Sequence, residues 1–257
     1  MLLAIDIGNS DITLGISNGD GWNPVWRIPT VADRPQMYYS MRIINNFLES
    51  GLKHEQVEQV VISSVVPELT KNFAEVAAAL FERSPLVLGP DLYKNLPLTI
   101  RNPYEIGADL VANALAAHSR FRQNCVVVDF GAALTFTTIS HSGEILGVSI
   151  APGLKTAIRA LSQNTARLFD VPLEMPSTVL GKGTTQAVQA GVLIGYEGMV
   201  MHMLKRIKEE LNDHDVKTIA TGGLCRIIPT LGEVFTEIDP YLTLTGLRIV
   251  AEGSGEV

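Results

Sequence analysis

Two stretches of the chain, LAIDIGNSDITLGIS (Leu3–Ser17) and VVVDFGAALTFTTIS (Val126–Ser140), are written on one plan. Each reads as an apolar strand, an Asp-x-Gly turn and a second strand that ends in Ile-Ser. Their acidic residues, Asp6 and Asp129, are separated by about half of the 257 residues. This spacing is typical of an internal duplication, so we expect two tandem copies of one folding unit.

The segments that follow each stretch support the duplication. In both halves, three strand-like segments are followed by alternating helical and strand-like segments, an order typical of an α/β fold. A helix is predicted from Asn102-Pro103 through Phe121, with Asn102 as its N-cap. The divide falls in or beside this helix, and we expect one lobe over residues 1–115 and a second over residues 116–257.

The composition limits the classes of function. Hydrophobic residues make up 46% of the sequence, charged residues 18%, and the formal net charge is −7. These values are ordinary for a folded protein, and no basic stripe predicts nucleic-acid binding. No apolar run reaches the length of a membrane span, and MLLAIDIGNS lacks the basic start of a signal peptide. We therefore expect a cytoplasmic protein that does not associate with membranes.

The repeated Asp-x-Gly turn has a use beyond the fold. Its glycine permits close approach of the backbone, and the N–H groups that follow it can face a phosphate. The carboxylate at the end of the strand can orient Mg²⁺ or a water molecule on it. The first loop adds the polar side chains of Asn9 and Ser10, whereas the second carries Ala132 and Ala133 at the matching places. An ordinary turn is the alternative for either loop alone, but the presence of two copies predicts a binding site for a polyphosphate.

A third motif occurs late in the chain. Thr221-Gly222-Gly223 lies where a strand ends and a helix is expected to begin. Glycines at that place allow a ribose or a flat ring to approach the backbone at a helix N-terminus. A simple strand-to-helix turn explains the same residues if the motif is judged alone.

Taken in order, these motifs resemble the two phosphate signatures and the adenosine signature of the actin/Hsp70/sugar-kinase superfamily. Within it, the chain is similar to the type III pantothenate kinase family over nearly its whole length. The matching segments are IDIGNSDITLGI, SSVVPELT, NPYEIGAD, VVDFGAALTF, GEILGVSIAPGL, LGKGTTQAVQAG and IATGG. The resemblance implies two ribonuclease-H-like (actin-like ATPase) domains with mixed sheets flanked by helices. It also implies transfer of the γ-phosphate of ATP to the primary hydroxyl of pantothenate, the first step towards coenzyme A.

The resemblance also implies roles for individual residues. Asp109 would be the general base, and its predicted position inside a helix with apolar neighbours makes an uncompensated carboxylate costly. An Asp held by a structural hydrogen bond is the alternative for that residue. Asp6 would orient Mg²⁺, and Asp129 would face the second phosphate side or bind an activating monovalent cation, K⁺ or NH₄⁺. The implied nucleotide contacts are Asp6, Gly8, Asn9, Ser10, Gly131, Ala132, Thr135, Gly222 and Gly223.

The implied acceptor is pantothenate or a similar small acid that bears a hydroxyl group. Its implied contacts are Ile100, Gly107 and Leu110, together with Thr184 from the other subunit of a homodimer. The neighbouring Thr185 leaves the last assignment open by one residue.

The sequence departs from the family pattern at the acceptor site and at the second phosphate loop. Leu110 stands where the family usually has an Arg whose fixed charge can hold a carboxylate, and Ile100 stands where an aromatic residue is common. Ala132 stands where a Thr is usual, which removes a hydrogen bond of about 0.5–1.5 kcal/mol. Two alternatives to pantothenate kinase therefore stay open. One is a phosphotransferase of the same fold with another acceptor, and the other is a nucleotide-binding regulatory paralogue without catalysis.

Overall fold

The structure, a computed structural model, describes residues 1–19, 21–164 and 168–253. The strands are β1 (Leu2–Ile7), β2 (Asp11–Ser17), β3 (Val25–Pro29), β4 (Gln59–Ser64), β5 (Leu86–Val87), β6 (Cys125–Phe130), β7 (Ala133–Ile139), β8 (Ile145–Pro152), β9 (Lys217–Thr221) and β10 (Glu237–Ile238). The α-helices are α1 (Gln36–Glu49), α2 (Pro67–Phe81), α3 (Pro90–Tyr93), α4 (Ala108–Phe121), α5 (Leu154–Asn164), α6 (Thr184–Gln189), α7 (Gly195–Leu211) and α8 (Leu242–Gly253). No helix of the described residues is long and apolar enough to cross a membrane.

The strands form two five-stranded sheets with the same topology. Their strand orders are β3-β2-β1-β4-β5 and β8-β7-β6-β9-β10. In each sheet the first three strands are an antiparallel meander, and the last two run parallel to the strand that opens the meander. The predicted duplication and the α/β class with two mixed sheets are therefore confirmed.

Contacts divide the chain into two compact units. The N-terminal unit comprises Met1–Ala116 and the stretch that begins at Tyr241, and the C-terminal unit comprises Ala117–Pro240. The sequence-based division assigned all of residues 116–257 to the second lobe, whereas α8 packs within the first unit. The reason is its apolar face: Leu244, Leu247 and Val250 are buried in the cluster that contains Ala4 of β1 and Val61 of β4.

The sheet of the N-terminal unit has two covered faces. Leu3, Ile5 and Ile7 of β1 belong to the apolar cluster formed with α1 and α2. Because side chains alternate along a strand, Ala4 and Asp6 point to the other face, where α4 and α8 pack. Asp6 therefore lies on the α4 face of its sheet.

Helices α4 and α8 are in close contact on that face. Gly246 of α8 lies so near the carbonyl group of Ala112 that a Cβ at this position would overlap it. One residue further along α4, the fully buried Asn113 accepts a hydrogen bond through its Oδ1 from Thr243 Oγ1, 2.9 Å away. These contacts fix the packing of α4 against the C-terminal helix.

The C-terminal unit repeats the alternation. Val126, Val128 and Phe130 of β6 are buried with α5, α6 and α7. Asp129 therefore points to the opposite face of its sheet, as Asp6 does in the other unit.

The predicted start of one helix is corrected. Helix α4 begins at Ala108 and not at Asn102, because Asn102 closes a turn of its own: its carbonyl accepts the Glu105 N–H at 3.1 Å, and its side-chain amide donates to the Glu105 carboxylate at 3.1 Å. Further along the chain, a π-helical turn over Ala190–Ile194 joins α6 to α7.

Candidate active site

Asp6 is placed at the C-terminal end of β1, where two further site elements meet it within the N-terminal unit. Strands β1 and β4 are parallel, and Asp6 is the register partner of Ser63. Just beyond β4, the Val65 N–H donates to the Ile7 carbonyl at 3.0 Å. A Cβ built on Gly107 would lie 3.3 Å from the Val65 side chain. The structure therefore brings the predicted Gly107–Asp109 motif to the same end of the sheet as the first Asp-x-Gly loop.

The first loop, Gly8 to Ser10, is braced through its backbone. The Gly8 N–H donates to the Asp11 carbonyl at 3.1 Å. Thr30, just after β3, donates through Oγ1 to the Gly8 carbonyl at 2.7 Å and through its N–H to the Ser10 carbonyl at 3.0 Å. The side chains of Asn9 and Ser10 stay exposed. The loop is thus held by its carbonyl groups, while its polar side chains face outward.

Asp109 lies in the first turn of α4. The sequence predicted a position well inside the helix, and that prediction is wrong. Its Oδ1 accepts the Leu110 N–H at 2.8 Å. Burial raises the pKa of the Asp109 carboxyl group, and hydrogen bonds from the backbone N–H groups of Leu110 and Asp109 oppose this rise. Burial thus makes Asp109 a stronger base than an exposed Asp while the helix terminus fixes its orientation.

Gly107 leaves the space that this carboxylate occupies. A Cβ on residue 107 would overlap Asp109 Oδ1. The Gly107 carbonyl also accepts the Val111 N–H at 3.2 Å, so this residue starts the hydrogen bonding of α4. The glycine of the Gly-x-Asp motif is therefore required by a close approach to the acid itself.

Tyr93 is a neighbour of Asp109 that no sequence motif indicated. It ends the short helix α3 and is 4% exposed. Its pKa is raised to about 12, first by burial and second by the negative charge of Asp109. Only the tertiary structure reveals such a neighbour, because Tyr93 lies 16 positions before Asp109 in the sequence.

Two of the predicted acceptor contacts in the N-terminal unit, Ile100 and Leu110, are apolar side chains that are partly or largely buried. Ile100 packs, partly buried, against the cluster that contains Tyr93, Ala108 and Val111. Leu110 is 9% exposed. An apolar side chain therefore fills the place where the family usually supplies a guanidinium group.

In the C-terminal unit, Asp129 is the centre of a row of polar residues across three strands. Its register partners are Thr135 on β7 and Thr221 on β9. Both threonines are buried, and their hydroxyl groups have no hydrogen-bond partner within the described part of the chain. The N-terminal unit has the equivalent row, in which Asp6 lies between Thr13 and Ser63.

The late Thr-Gly-Gly motif is brought to the second Asp-x-Gly loop. Gly222 has a φ of +89°, which favours glycine, and a Cβ there would overlap Asp129 Oδ1 and lie 2.9 Å from the Phe130 nitrogen. The predicted helix after this motif is wrong: Gly222 and Gly223 lie in a turn, where the Cys225 N–H donates to the Gly222 carbonyl at 3.3 Å. Gly222 therefore serves close packing on Asp129, and the two glycines do not start an α-helix.

The second loop is one residue shorter than the first. The last register pair before the first loop is Ile7 with Ile12, whereas before the second it is Phe130 with Leu134. The loop N–H bonds give the same offset, because Gly8 donates to Asp11 and Gly131 donates to Ala133. Ala133 therefore matches Asp11 in the structure. The sequence pattern alone predicted that it would match Ser10, and that prediction is wrong.

Ala132 holds the second loop in place through its carbonyl group. That oxygen accepts the Gly153 N–H at 3.0 Å and Thr156 Oγ1 at 2.7 Å. A Cβ on Gly153 would overlap the Gly131 and Ala132 carbonyl oxygens. The start of α5 thus fixes this loop, although the side chain of Ala132 adds no donor.

Thr184 lies at the start of α6, on the rim of an open cavity of about 590 Å³ within the C-terminal unit. Thr184 is exposed, whereas Thr185 is half-buried. The cavity is lined by Leu161, Leu168, Gly181, Lys182, Gly183, Thr184, Ala187, Val188, Gly191 and Val192. Of the two threonines, Thr184 is the one that a bound molecule reaches more easily.

The site residues fit a magnesium nucleotide better than a metal cage made of protein. Within residues 1–19, 21–164 and 168–253, no group of three or more His, Cys, Asp or Glu could hold a metal ion. Each unit instead offers one carboxylate at a Gly loop, with a buried hydroxyl beside it whose hydrogen bonding is unsatisfied. Mg²⁺ is commonly held by one or two carboxylates together with the phosphates of its ligand.

A duplicated α/β unit with an acidic residue and a glycine loop at equivalent strand ends defines the actin-like ATPase and sugar-kinase class. The solved structure of MreB 5 of Spiroplasma citri bound to AMPPNP has this fold. It matches with a TM-score of 0.56 and 10% identity, covering 99% of this chain and 97% of that one.

Sequence relatives narrow the class to one family. The sequence model of type III pantothenate kinase matches residues 2–206. A type III pantothenate kinase of Anaeromyxobacter sp. (strain K) is 41% identical, covering 98% of this chain and 99% of the relative. One of Geobacter sulfurreducens is 39% identical, with full coverage of both chains. The chain belongs to the type III pantothenate kinase family.

Proposed function

We propose that the protein phosphorylates pantothenate with ATP, as the names of its relatives indicate for them. The observation that carries the proposal is the placement of Asp109. Its pKa is raised by burial, and it lies in the same unit and at the same sheet end as the Asp6 loop. A base of raised pKa beside a phosphate loop is the arrangement that phosphoryl transfer to a hydroxyl requires.

Asp109 would accept the proton of the primary hydroxyl as its oxygen attacks the γ-phosphorus atom, while the bond from that phosphorus to the β,γ-bridging oxygen breaks and ADP leaves. The hydrogen bond from the Leu110 N–H at 2.8 Å keeps the carboxylate in one orientation. A positioned general base contributes about 10²–10⁴ to the rate. Tyr93 is buried, and the negative charge of Asp109 contributes to the rise of the Tyr93 pKa.

The nucleotide contacts in this proposal lie on the two Asp-x-Gly loops and at the Thr-Gly-Gly motif. In the N-terminal unit, Gly8, Asn9 and Ser10 would contact phosphate, and Asp6 would hold Mg²⁺ or a water molecule on it. Mg²⁺ supplies neutralisation of the charge that develops on the phosphate oxygens. In the C-terminal unit, the phosphate and adenosine contacts are made by Gly131, Ala132, Thr135, Gly222 and Gly223, and Asp129 holds the second phosphate side or a K⁺ or NH₄⁺ ion.

The assembly and location belong to the same proposal. We propose a cytoplasmic homodimer in which Thr184 reaches the acceptor of the partner subunit. The exposure of Thr184 on the rim of the cavity is consistent with a contact from another chain. Gel filtration with light scattering measures the dimer, and a monomer that retains full turnover would contradict the role of Thr184.

The test is the direct reaction. Purified protein is incubated with ATP, Mg²⁺, K⁺ and pantothenate, and phosphopantothenate is measured by mass spectrometry. Asp109→Asn is the control, because it keeps the shape of the side chain and removes the base. Absence of phosphopantothenate from the wild-type reaction would sink the proposal, whereas robust turnover would dispose of the regulatory alternative.

Leu110 favours a second candidate, a kinase for an acceptor without a carboxylate. Its apolar side chain, 9% exposed, cannot pair with the carboxylate of pantothenate. A screen should compare pantothenate with its neutral alcohol analogue at equal concentration. Turnover of pantothenate alone would exclude this candidate, and faster turnover of the neutral analogue would support it.

A further inference from the structure

Two of the buried hydroxyl groups beside the two acidic residues, those of Ser63 and Thr221, have no role in the proposed reaction. Ser63 is the register partner of Asp6, and Thr221 is the register partner of Asp129, each on a neighbouring parallel strand. Register partners point to the same face of a sheet, with strands about 4.8 Å apart. Each hydroxyl is thus the nearest cross-strand neighbour of a carboxylate on its parallel side.

Neither hydroxyl is satisfied by the protein. Ser63 is 0% exposed and Thr221 is 1% exposed, and their oxygens have no hydrogen-bond partner among the described residues. Buried hydroxyls are almost always hydrogen-bonded, since an unmade bond costs free energy. The same unsatisfied group at the same place in both units indicates a partner other than the described residues of the chain.

The neighbouring residue, Ser64, has a hydroxyl group that is fully hydrogen-bonded within the protein, in contrast to Ser63. Ser64 Oγ accepts from Thr70 Oγ1 at 2.8 Å and from the Val66 N–H at 3.2 Å, and it donates to the Val66 carbonyl at 3.1 Å. Ser64 therefore holds the turn into α2. Ser63, one position earlier and on the other face, has no such task.

We propose that Ser63 and Thr221 are binding residues for the magnesium nucleotide. Each donates a hydrogen bond to a phosphate oxygen, or to a water on the cation, held at the carboxylate beside it. The proposal rests on the proposed function only for the identity of the ligand, a nucleoside triphosphate with a divalent cation. It adds a hydroxyl from β4 and one from β9 to loops that the sequence motifs had already indicated.

The test separates binding from folding. Ser63→Ala removes an unsatisfied buried hydroxyl, so the variant should melt at the same temperature as the wild type or higher. Its affinity for Mg²⁺–AMPPNP, measured by titration calorimetry in K⁺ buffer, should fall about 3- to 10-fold, the effect of one lost hydrogen bond. Ser64→Ala is the matched control, and it should lower the melting temperature while leaving the affinity unchanged.

Thr221→Val gives the second arm, in case Ser63→Ala does not fold. Its matched control is Thr218→Val on the same strand, because Thr218 Oγ1 donates to the Val234 carbonyl at 3.1 Å. Wild-type affinity in both Ser63→Ala and Thr221→Val would overturn the proposal. A loss of stability in Ser63→Ala as large as that in Ser64→Ala would also overturn it, since that result assigns a structural role.

The acceptor plays no part in this measurement. Normal binding of Mg²⁺–AMPPNP without formation of phosphopantothenate would sink the proposed function alone. Failure of the wild type to bind Mg²⁺–AMPPNP would overturn this inference together with the nucleotide site.

Discussion

Replacement of Gly107 by Ala tests whether the position of the Asp109 carboxylate sets the rate. The backbone of Gly107 is not in the left-handed region, so alanine brings no conformational strain of its own. Its Cβ would overlap Asp109 Oδ1 and lie 3.3 Å from the Val65 side chain. Since non-bonded atoms need roughly 3.5 Å, the carboxylate must retreat by about 1 Å.

A displacement of about 1 Å at a reacting group costs on the order of 10²-fold in rate. We therefore expect Gly107→Ala to lower kcat for phosphopantothenate formation about 100-fold. The KM for ATP should hold, because the phosphate loops are untouched. Steady-state kinetics with a coupled ADP assay measures both constants.

Gly89→Ala is the matched control, because a Cβ on Gly89 would meet no atom within 4 Å. Calorimetry should show both variants folded, with melting temperatures close to that of the wild type. A Gly107→Ala enzyme with wild-type kcat would refute the reasoning, and so would a variant that loses activity only because it unfolds.

Three further outcomes are expected. Burial raises the folded-state pKa of Asp109, so the folded protein binds this proton more tightly than the unfolded chain and loses stability as pH rises through that range. Asp109→Asn removes this loss, and its melting temperature should gain on the wild type as the pH rises above the ordinary pKa of an Asp carboxyl group, while turnover falls at least about 100-fold. Equal melting curves at every pH would contradict this. Gly222→Ala should cost at least about 1–2 kcal/mol in urea unfolding, because φ is +89° and its Cβ would overlap Asp129 Oδ1; unchanged unfolding would show that this turn is not rigid. Arg120, 30% exposed, pairs with Glu237 and Asp239, so Arg120→Ala should cost about 1 kcal/mol or less and the loss should shrink in high salt; a loss that does not depend on salt would point to packing.

The sequence by itself determined the repeated strand–turn–strand plan. The Asp-x-Gly turns and the apolar runs of β1 and β6 are local signals, and their repetition half a chain apart predicted both sheets. The family motifs predicted the site residues in the same way, because each motif lies within about ten residues of sequence.

The ends of helices and loops could not be predicted from the sequence where local hydrogen bonds compete. Asn102 is a good N-cap by type, yet the structure uses it to close a turn with Glu105, and α4 starts at Ala108. The Asp109 carboxylate consequently lies in the first helical turn, where backbone N–H groups hold it. Likewise, the one-residue offset of the second loop is a matter of strand register, which only paired strands reveal.

Contacts between distant segments were decided by the tertiary structure alone. Helix α8 joins the first unit because its apolar face completes the cluster around Ala4 and Val61. Tyr93 comes beside Asp109, and Ser63 beside Asp6, through packing and strand pairing that no short motif encodes. The physical reason is that burial and register are properties of two segments at once. A single stretch of sequence therefore indicated the carboxylates, but the side chains that surround them could be found only in the folded chain.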